Sequence, residues 1–217
     1  MEDIFAVAIR LAILFPAIVL HEVAHGYAAY MLGDETAKRA GRLSLNPLVH
    51  VDLMGTVILP LILLVAGSSF LIGWAKPVPI NPYAFKDRKT GMLITGAAGP
   101  ATNLALAVVV GVFTRMMPQS GSGMLGQISS VYDVLIYFVY MNLLLLFFNL
   151  IPIPPLDGSR IVQRLLSGKA AVFYDSLERY GFLIIFGSFY IAPGLFGGYL
   201  SLTVVPLFSL ITGVTLI

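Results

Sequence analysis

Leu20-His21-Glu22-Val23-Ala24-His25-Gly26 is the stretch whose reading decides the fold. It carries the pattern His-Glu-x-x-His. Residues four apart share a helix face, so His21 and His25 can aim two imidazoles at one metal ion. Glu22 sits about 100° further round the helix, near enough to reach a water on that metal. Upstream, residues 11–20 are all apolar. Ionisable groups at the end of such a run mark a functional site rather than the wet face of a surface helix.

Composition agrees. Hydrophobic residues make up 58% of the 217-residue chain and charged residues only 11%. The mean hydropathy is +0.91. Soluble domains carry about 25% charged residues, so this chain reads as an integral membrane protein. Its length suits one bundle of about six membrane segments, with little left for soluble domains. A net charge of +2 without a basic run gives no footprint for nucleic acid. The lack of cysteine removes disulfides, Cys-ligated zinc and thiol chemistry. Met1-Glu2-Asp3 lacks the positive region of a signal peptide, and cleavage after the first apolar segment would remove the metal motif.

Residues 4–32 read as the first membrane helix, with a kink at Pro16, ended by Gly33-Asp34. The polar stretch that follows holds Gly41-Arg42-Leu43-Ser44-Leu45-Asn46-Pro47, read as a brief strand and a turn. Residues 53–73 are long enough to cross but are interrupted by Gly55, Pro60 and Gly67. Next comes Gly73-Trp74-Ala75-Lys76-Pro77-Val78-Pro79-Ile80-Asn81-Pro82, whose prolines forbid a helix and favour extended chain. Residues 92–117 form another span, in which Gly96, Ala97, Gly99 and Ala101 allow close helix approach. A short Gly/Ser-rich loop, 118–126, leads to the span 127–151. Residues 159–177 read as an amphipathic segment at the interface. The stretches 180–193 and 198–217 close the chain as a helical hairpin or as one span plus a broken one. The expected fold is thus an all-α polytopic membrane protein of about six segments, with short extended or β pieces at 41–47 and 73–82. Residues 1–217 are expected to form one domain, with a catalytic core of about 4–165 and a C-terminal hairpin at 178–217.

Catalytic zinc usually takes three protein ligands and leaves one position for water. Position 31, where one zincin variant has its third His, is Met31, and Glu35 lies past the helix end. His50 and Asp157 remain as candidates. Asp157 follows an apolar span and a Pro-rich unwinding, Ile151-Pro152-Ile153-Pro154-Pro155. His50 sits in a polar loop beside Asp52. Asn142 and Asn149 are seven apart on one face of the span before Asp157. A buried Asn there either bonds between helices or donates to an oxyanion.

Together, His21-Glu22-Val23-Ala24-His25, Ala98-Gly99-Pro100-Ala101-Thr102-Asn103 and Asn149-Leu150-Ile151-Pro152-Ile153-Pro154-Pro155-Leu156-Asp157-Gly158 resemble the site-2 proteases. These are intramembrane zinc metalloproteases that cut transmembrane or membrane-embedded substrates. The resemblance runs from about residue 10 to 165. It implies one zinc ion held by His21, His25 and Asp157, Glu22 as general base and acid, and Asn149 assisting. The segments 41–47 and 73–79 resemble a compact prokaryotic subgroup, expected to be without PDZ or CBS domains, since the 118–126 loop is too short for a PDZ domain and the hairpin runs to Ile217.

Sharing one ion requires Asp157 to lie at the depth of His21 and His25, so the first helix and 127–151 run the same way. This holds if 53–73 enters and leaves on one side, packed on protein. The loops 33–52, 74–91 and 159–177 carry three, four and three Lys/Arg, and 118–126 carries none. The positive-inside rule then places those three loops in the cytoplasm and the N-terminus outside. The site opens toward the cytoplasm of a prokaryotic cell membrane. The expected partners are a transmembrane protein or peptide substrate and the lipid bilayer, with no nucleic acid. An extended edge at 41–47 or 73–82 offers strand addition to an unwound substrate. The rival readings are a metal transporter, for which ligands on several spans and an inverted repeat are missing, and an inactive scaffold, against which Glu22 stands.

Overall fold

The first helix forms because the run from Ile4 to Leu20 is apolar apart from Arg10 and holds one helix breaker, Pro16, and a membrane helix tolerates one proline. In the computed structural model, which describes residues 4–65, 73–118, 128 and 130–215, α1 spans Ile4–Met31 with Pro16 inside it. Gly33 ends it at φ 102°, a left-handed conformation that suits glycine. Asp34 then accepts the Thr36 N–H at 2.9 Å and starts the single turn α2, Thr36–Arg39.

A 3₁₀ turn at Pro47–His50 leads to a π turn at Leu53–Ile58 and then to α3, Leu59–Val65. Of the expected segment 53–73, residues 53–65 are a π turn running directly into an α-helix, and 66–72 lie outside the described residues. From Gly73 to Asn81 the chain has no regular secondary structure, and no strand occurs among the described residues. The expected β pieces at 41–47 and 73–82 are not strands: residues 73–81 are free of helix, as their prolines require, and Pro82 opens a 3₁₀ turn, Pro82–Ala84. Pro77 and Pro79 have no N–H, so a ladder there lacks two donors.

Asp87 caps α4, Arg88–Thr114, by accepting the Lys89 N–H at 3.0 Å. This cap starts the helix four residues before the apolar run. A capping box of Ser130 and Asp133 starts α5, Val131–Asn149. Two short helices follow, α6 at Gly158–Leu165 and α7 at Gly168–Ser176, in the segment expected to be amphipathic. The chain ends in α8, Gly181–Ile191, and α9, Pro193–Thr212, which pack on each other. The 118–126 loop lies almost wholly outside the described residues.

Four helical stretches are long and apolar enough to cross a bilayer: Ile9–Met31, Arg88–Thr114, Val131–Asn149 and Gly194–Thr212. The 11 residues of α8 rise only about 16 Å, short of a hydrocarbon core of about 30 Å. At the centre, α4 packs against α1, α5, α6 and α9. Buried Ala107 of α4, Ile136, Val139 and Leu143 of α5, and Val204 and Phe208 of α9 form one apolar core. Side chains on the other face of α4, Val109, Val112 and Phe113, are exposed as a lipid-facing surface would be. Gly111 touches Ile211 so closely that a methyl group would overlap it.

Contacts along α4 fix the helix directions. His25 meets Thr95 and His21 meets Asn103, so α1 and α4 are antiparallel. Asn142 meets Asn103 while Asp157, beyond the end of α5, lies against Gly96. Hence α5 also runs against α4 and parallel to α1. The C-terminal ends of α1 and α5 share one end of the bundle with the start of α4.

Candidate metal centre

Parallel α1 and α5 put Asp157 beside the two histidines. The chain after α5 turns sharply, with the Leu156 N–H on the Ile153 carbonyl at 2.9 Å and the Ser159 N–H on the Leu156 carbonyl at 3.0 Å. Gly158 permits the turn, because any side chain there would overlap the Leu150 carbonyl. Asp157 Oδ2 then lies 3.1 Å from His21 Nε2 and 3.2 Å from His25 Nε2. The two Nε2 atoms are 3.0 Å apart, with the rings edge to face.

Partners at the far sides of the rings decide where the protons sit. His25 Nδ1 is 2.7 Å from the Thr95 carbonyl oxygen, which can only accept, so Nδ1 carries the proton. On the other side, the Phe138 carbonyl accepts from Asn142 Nδ2 at 2.8 Å. That leaves Asn142 Oδ1 to accept from Asn103 Nδ2 at 2.9 Å, and it turns Asn103 Oδ1 toward His21 Nδ1 at 2.5 Å. His21 therefore also donates from Nδ1. All four side chains are buried.

Three lone pairs thus converge: Nε2 of His21, Nε2 of His25 and Oδ2 of Asp157. Oδ2 is buried and receives no hydrogen bond. Three acceptors this close repel one another unless a cation sits among them. A tetrahedral zinc ion with bonds of about 2.0–2.1 Å spaces its ligands by about 3.3 Å, close to the separations seen. Two imidazoles and a carboxylate, with the second ring nitrogens held by an amide and a carbonyl, suit zinc. Among the described residues these three form the single group of His, Asp or Glu able to hold a metal ion.

Gly99 of α4 makes the room. A Cβ there would overlap His25 Nε2 and lie 2.6 Å from His21 Cε1. Thr95, Gly99 and Asn103 occur at four-residue spacing, so α4 presents a carbonyl, a gap and an amide along one stripe.

Glu22 lies round the helix from the histidines and faces the extended segment. Its Oε2 accepts the Val78 N–H at 2.9 Å. Gly26, one turn on, lets that segment approach, since a Cβ would lie 2.8 Å from Val78 Cγ1 and 2.7 Å from Leu43 Cδ2. The segment is pinned along its length. The Trp74 N–H donates to the Gly55 carbonyl at 3.2 Å, Lys76 N–H to the His50 carbonyl at 2.9 Å, and Asn81 N–H to Asp34 Oδ2 at 2.6 Å.

The remaining candidates fall elsewhere. His50 is fully buried and donates from Nε2 to the Ser44 carbonyl at 2.9 Å, outside the metal-binding group. Asn142 is the interhelical bond its spacing allowed. Asn149, at the end of α5, donates from Nδ2 to the Leu145 carbonyl at 3.0 Å. Reading the sequence missed the duties of Thr95 and Asn103, although their spacing with Gly99 was a visible signal. The contact of Glu22 with Val78 had none.

Residues 116–188 match the sequence profile of peptidase family M50. "Putative zinc metalloprotease YwhC" of Bacillus subtilis is 39% identical over 172 residues, covering 79% of this chain and 75% of that protein. "Putative zinc metalloprotease Rip2" of Mycolicibacterium smegmatis is 28% identical over 169 residues, covering 78% of this chain and 61% of its own. The protein of that name in Mycobacterium tuberculosis is 30% identical over 142 residues, 65% of this chain and 51% of its own. No solved structure gives a significant match. Similarity to the Bacillus protein at this level and coverage, joined to the match across the Asp157 region, makes this chain a member of peptidase family M50, the site-2 proteases.

Proposed function

We propose that the protein hydrolyses peptide bonds of transmembrane or membrane-embedded substrates, with His21, His25 and Asp157 holding one zinc ion and Glu22 moving the protons. The observation that carries this reading is the convergence of three buried lone pairs with Glu22 adjoining them in sequence. Zinc bound there supplies Lewis-acid chemistry, lowering the pKa of a bound water toward ~7 and polarising a scissile carbonyl. Glu22 takes a proton from the attacking water at a carboxylate oxygen and delivers it to the leaving amine. The Val78 N–H holds one oxygen of Glu22 and leaves the other for this transfer. Asn103 and the Thr95 carbonyl keep both imidazoles in the tautomer that presents Nε2. Asn149 is assigned the oxyanion, which requires its amide to leave the Leu145 carbonyl.

The topology belongs to the same proposal. The chain from 32 to 87 leaves α1 and enters α4 at one end of the bundle, which supports a re-entrant 53–73; the Lys/Arg of the loops at that end support its being cytoplasmic, with the N-terminus outside. With 53–73 and α8 counted as partial entries, the membrane segments number about six. Residues 1–217 act as one domain, with the core in about 4–165 and the hairpin 178–217 packed beside it.

The test compares wild type with Glu22→Gln in detergent, using a synthetic single-span peptide whose centre carries Gly and Asn. Cleavage by the wild type alone, with equal zinc in both, is expected. Equal cleavage by both would remove Glu22 from the chemistry.

A further inference from the structure

Arg42 is 7% exposed, and no carboxylate lies within ion-pair distance of it among the described residues. A buried guanidinium is costly to desolvate and is usually paired. Here its Nη2 donates to two backbone carbonyls, Lys76 at 2.5 Å and Pro77 at 3.3 Å. The Pro77 carbonyl and the Val78 N–H belong to one peptide group. That N–H is the one that donates to Glu22 Oε2 at 2.9 Å. A cation therefore sits at the oxygen end of a peptide whose hydrogen end holds the carboxylate.

We propose that Arg42 is a positioning residue for Glu22: through the peptide group joining Pro77 to Val78, its guanidinium fixes the orientation of the Glu22 carboxylate. Hydrogen bonds in series polarise one another, so the charge strengthens the Val78 donor. The single nitrogen Nη2 reaches two successive carbonyls and so sets the rotation of the peptide between them. His50 supports the same stretch from the other side, its carbonyl receiving the Lys76 N–H at 2.9 Å. Gly26 removes the side chain that would hold Val78 away from α1. Loss of Arg42 frees the 76–78 backbone and lets Glu22 leave its working position while the metal ligands stay in place.

This inference rests on Glu22 being the proton-transfer group, and the experiment separates the two claims. Arg42→Ala, Arg42→Lys, Val78→Pro, the Arg42→Ala/Val78→Pro double variant and Glu22→Gln are compared with wild type. The readouts are zinc per chain, hydrogen exchange at the Lys76 and Val78 amides, and cleavage of the single-span peptide. Arg42→Ala is expected to keep zinc and KM, raise exchange at both amides, and lower kcat about 10- to 100-fold, as small misplacements of catalytic groups do. Arg42→Lys should restore part of kcat. The double variant should be no slower than the slower single variant, since both act on one hydrogen bond. Unchanged exchange in Arg42→Ala overturns the proposal even if no peptide is cut. So does an unchanged kcat beside an inactive Glu22→Gln, or additive losses in the double variant. If Glu22→Gln still cleaves, the assignment of the base fails, and with it the catalytic meaning of Arg42.

Discussion

Gly99 lies so close to His25 that a single methyl group on its Cα would overlap the imidazole Nε2. The nitrogen offered to the metal is thus also the atom that meets the neighbouring helix. Gly99→Ala should displace His25 and His21 together without adding any polar group. We expect zinc affinity to fall at least about tenfold, the scale seen when support of a metal ligand is disturbed. Chelator competition on the purified protein measures it, and wild-type affinity in Gly99→Ala would refute the packing argument.

The Asn103 amide joins His21 to Asn142 and, through it, to the Phe138 carbonyl. Asn103→Leu removes the acceptor on His21 Nδ1 and leaves the Asn142 carbonyl unmatched. Asn142→Leu leaves Asn103 free to turn but still able to accept. Zinc affinity should therefore fall about 10- to 100-fold in Asn103→Leu and less in Asn142→Leu. The reverse order, by the same chelator competition, would contradict the relay.

Asp34 makes the protein acid-sensitive at the end of α1. Burial pushes its carboxyl up, but hydrogen bonds from the Thr36 hydroxyl, the Asn81 N–H and the Thr36 N–H outweigh that and hold it below the usual carboxylate value. A lowered folded-state value means that the group stabilises the fold above its unfolded pKa of about 3.9 and loses that contribution as pH falls through the folded value. Thermal unfolding in detergent should show wild type losing stability below about pH 4 more steeply than Asp34→Asn. At neutral pH Asp34→Asn should be less stable by about 1–2 kcal/mol, because the amide cannot accept at every oxygen position. Parallel pH profiles would remove Asp34 as the cause.

The apolar runs and the metal motif were legible for a simple reason. A membrane helix and a His-Glu-x-x-His pair are local patterns, set by residues one to four positions apart. Asp157 is 132 residues beyond His25 in the chain, so no local spacing ties it to the histidines; the apolar span and the Pro-rich unwinding before it favoured it over His50. The parallel course of α1 and α5, fixed by contacts to α4, brings Asp157 and not His50 to the histidines. The segment 73–82 was readable as extended from its prolines, yet the absence of a strand partner is a tertiary fact. The same holds for Arg42, which resembles any basic loop residue until its guanidinium is found on the Lys76 and Pro77 carbonyls. The expected segment 53–73 is helical from Leu53 to Val65, with 66–72 outside the described residues, and α8 ends at Ile191, just before Pro193 opens α9.

Zinc X-ray absorption on the purified wild-type protein tests the central claim most directly. The account expects one zinc per chain with two imidazole nitrogens and oxygen ligands at about 2.0–2.1 Å, and no sulfur scatterer. Three imidazoles, which would bring in His50, or a protein that retains no zinc when purified without chelator, would contradict it.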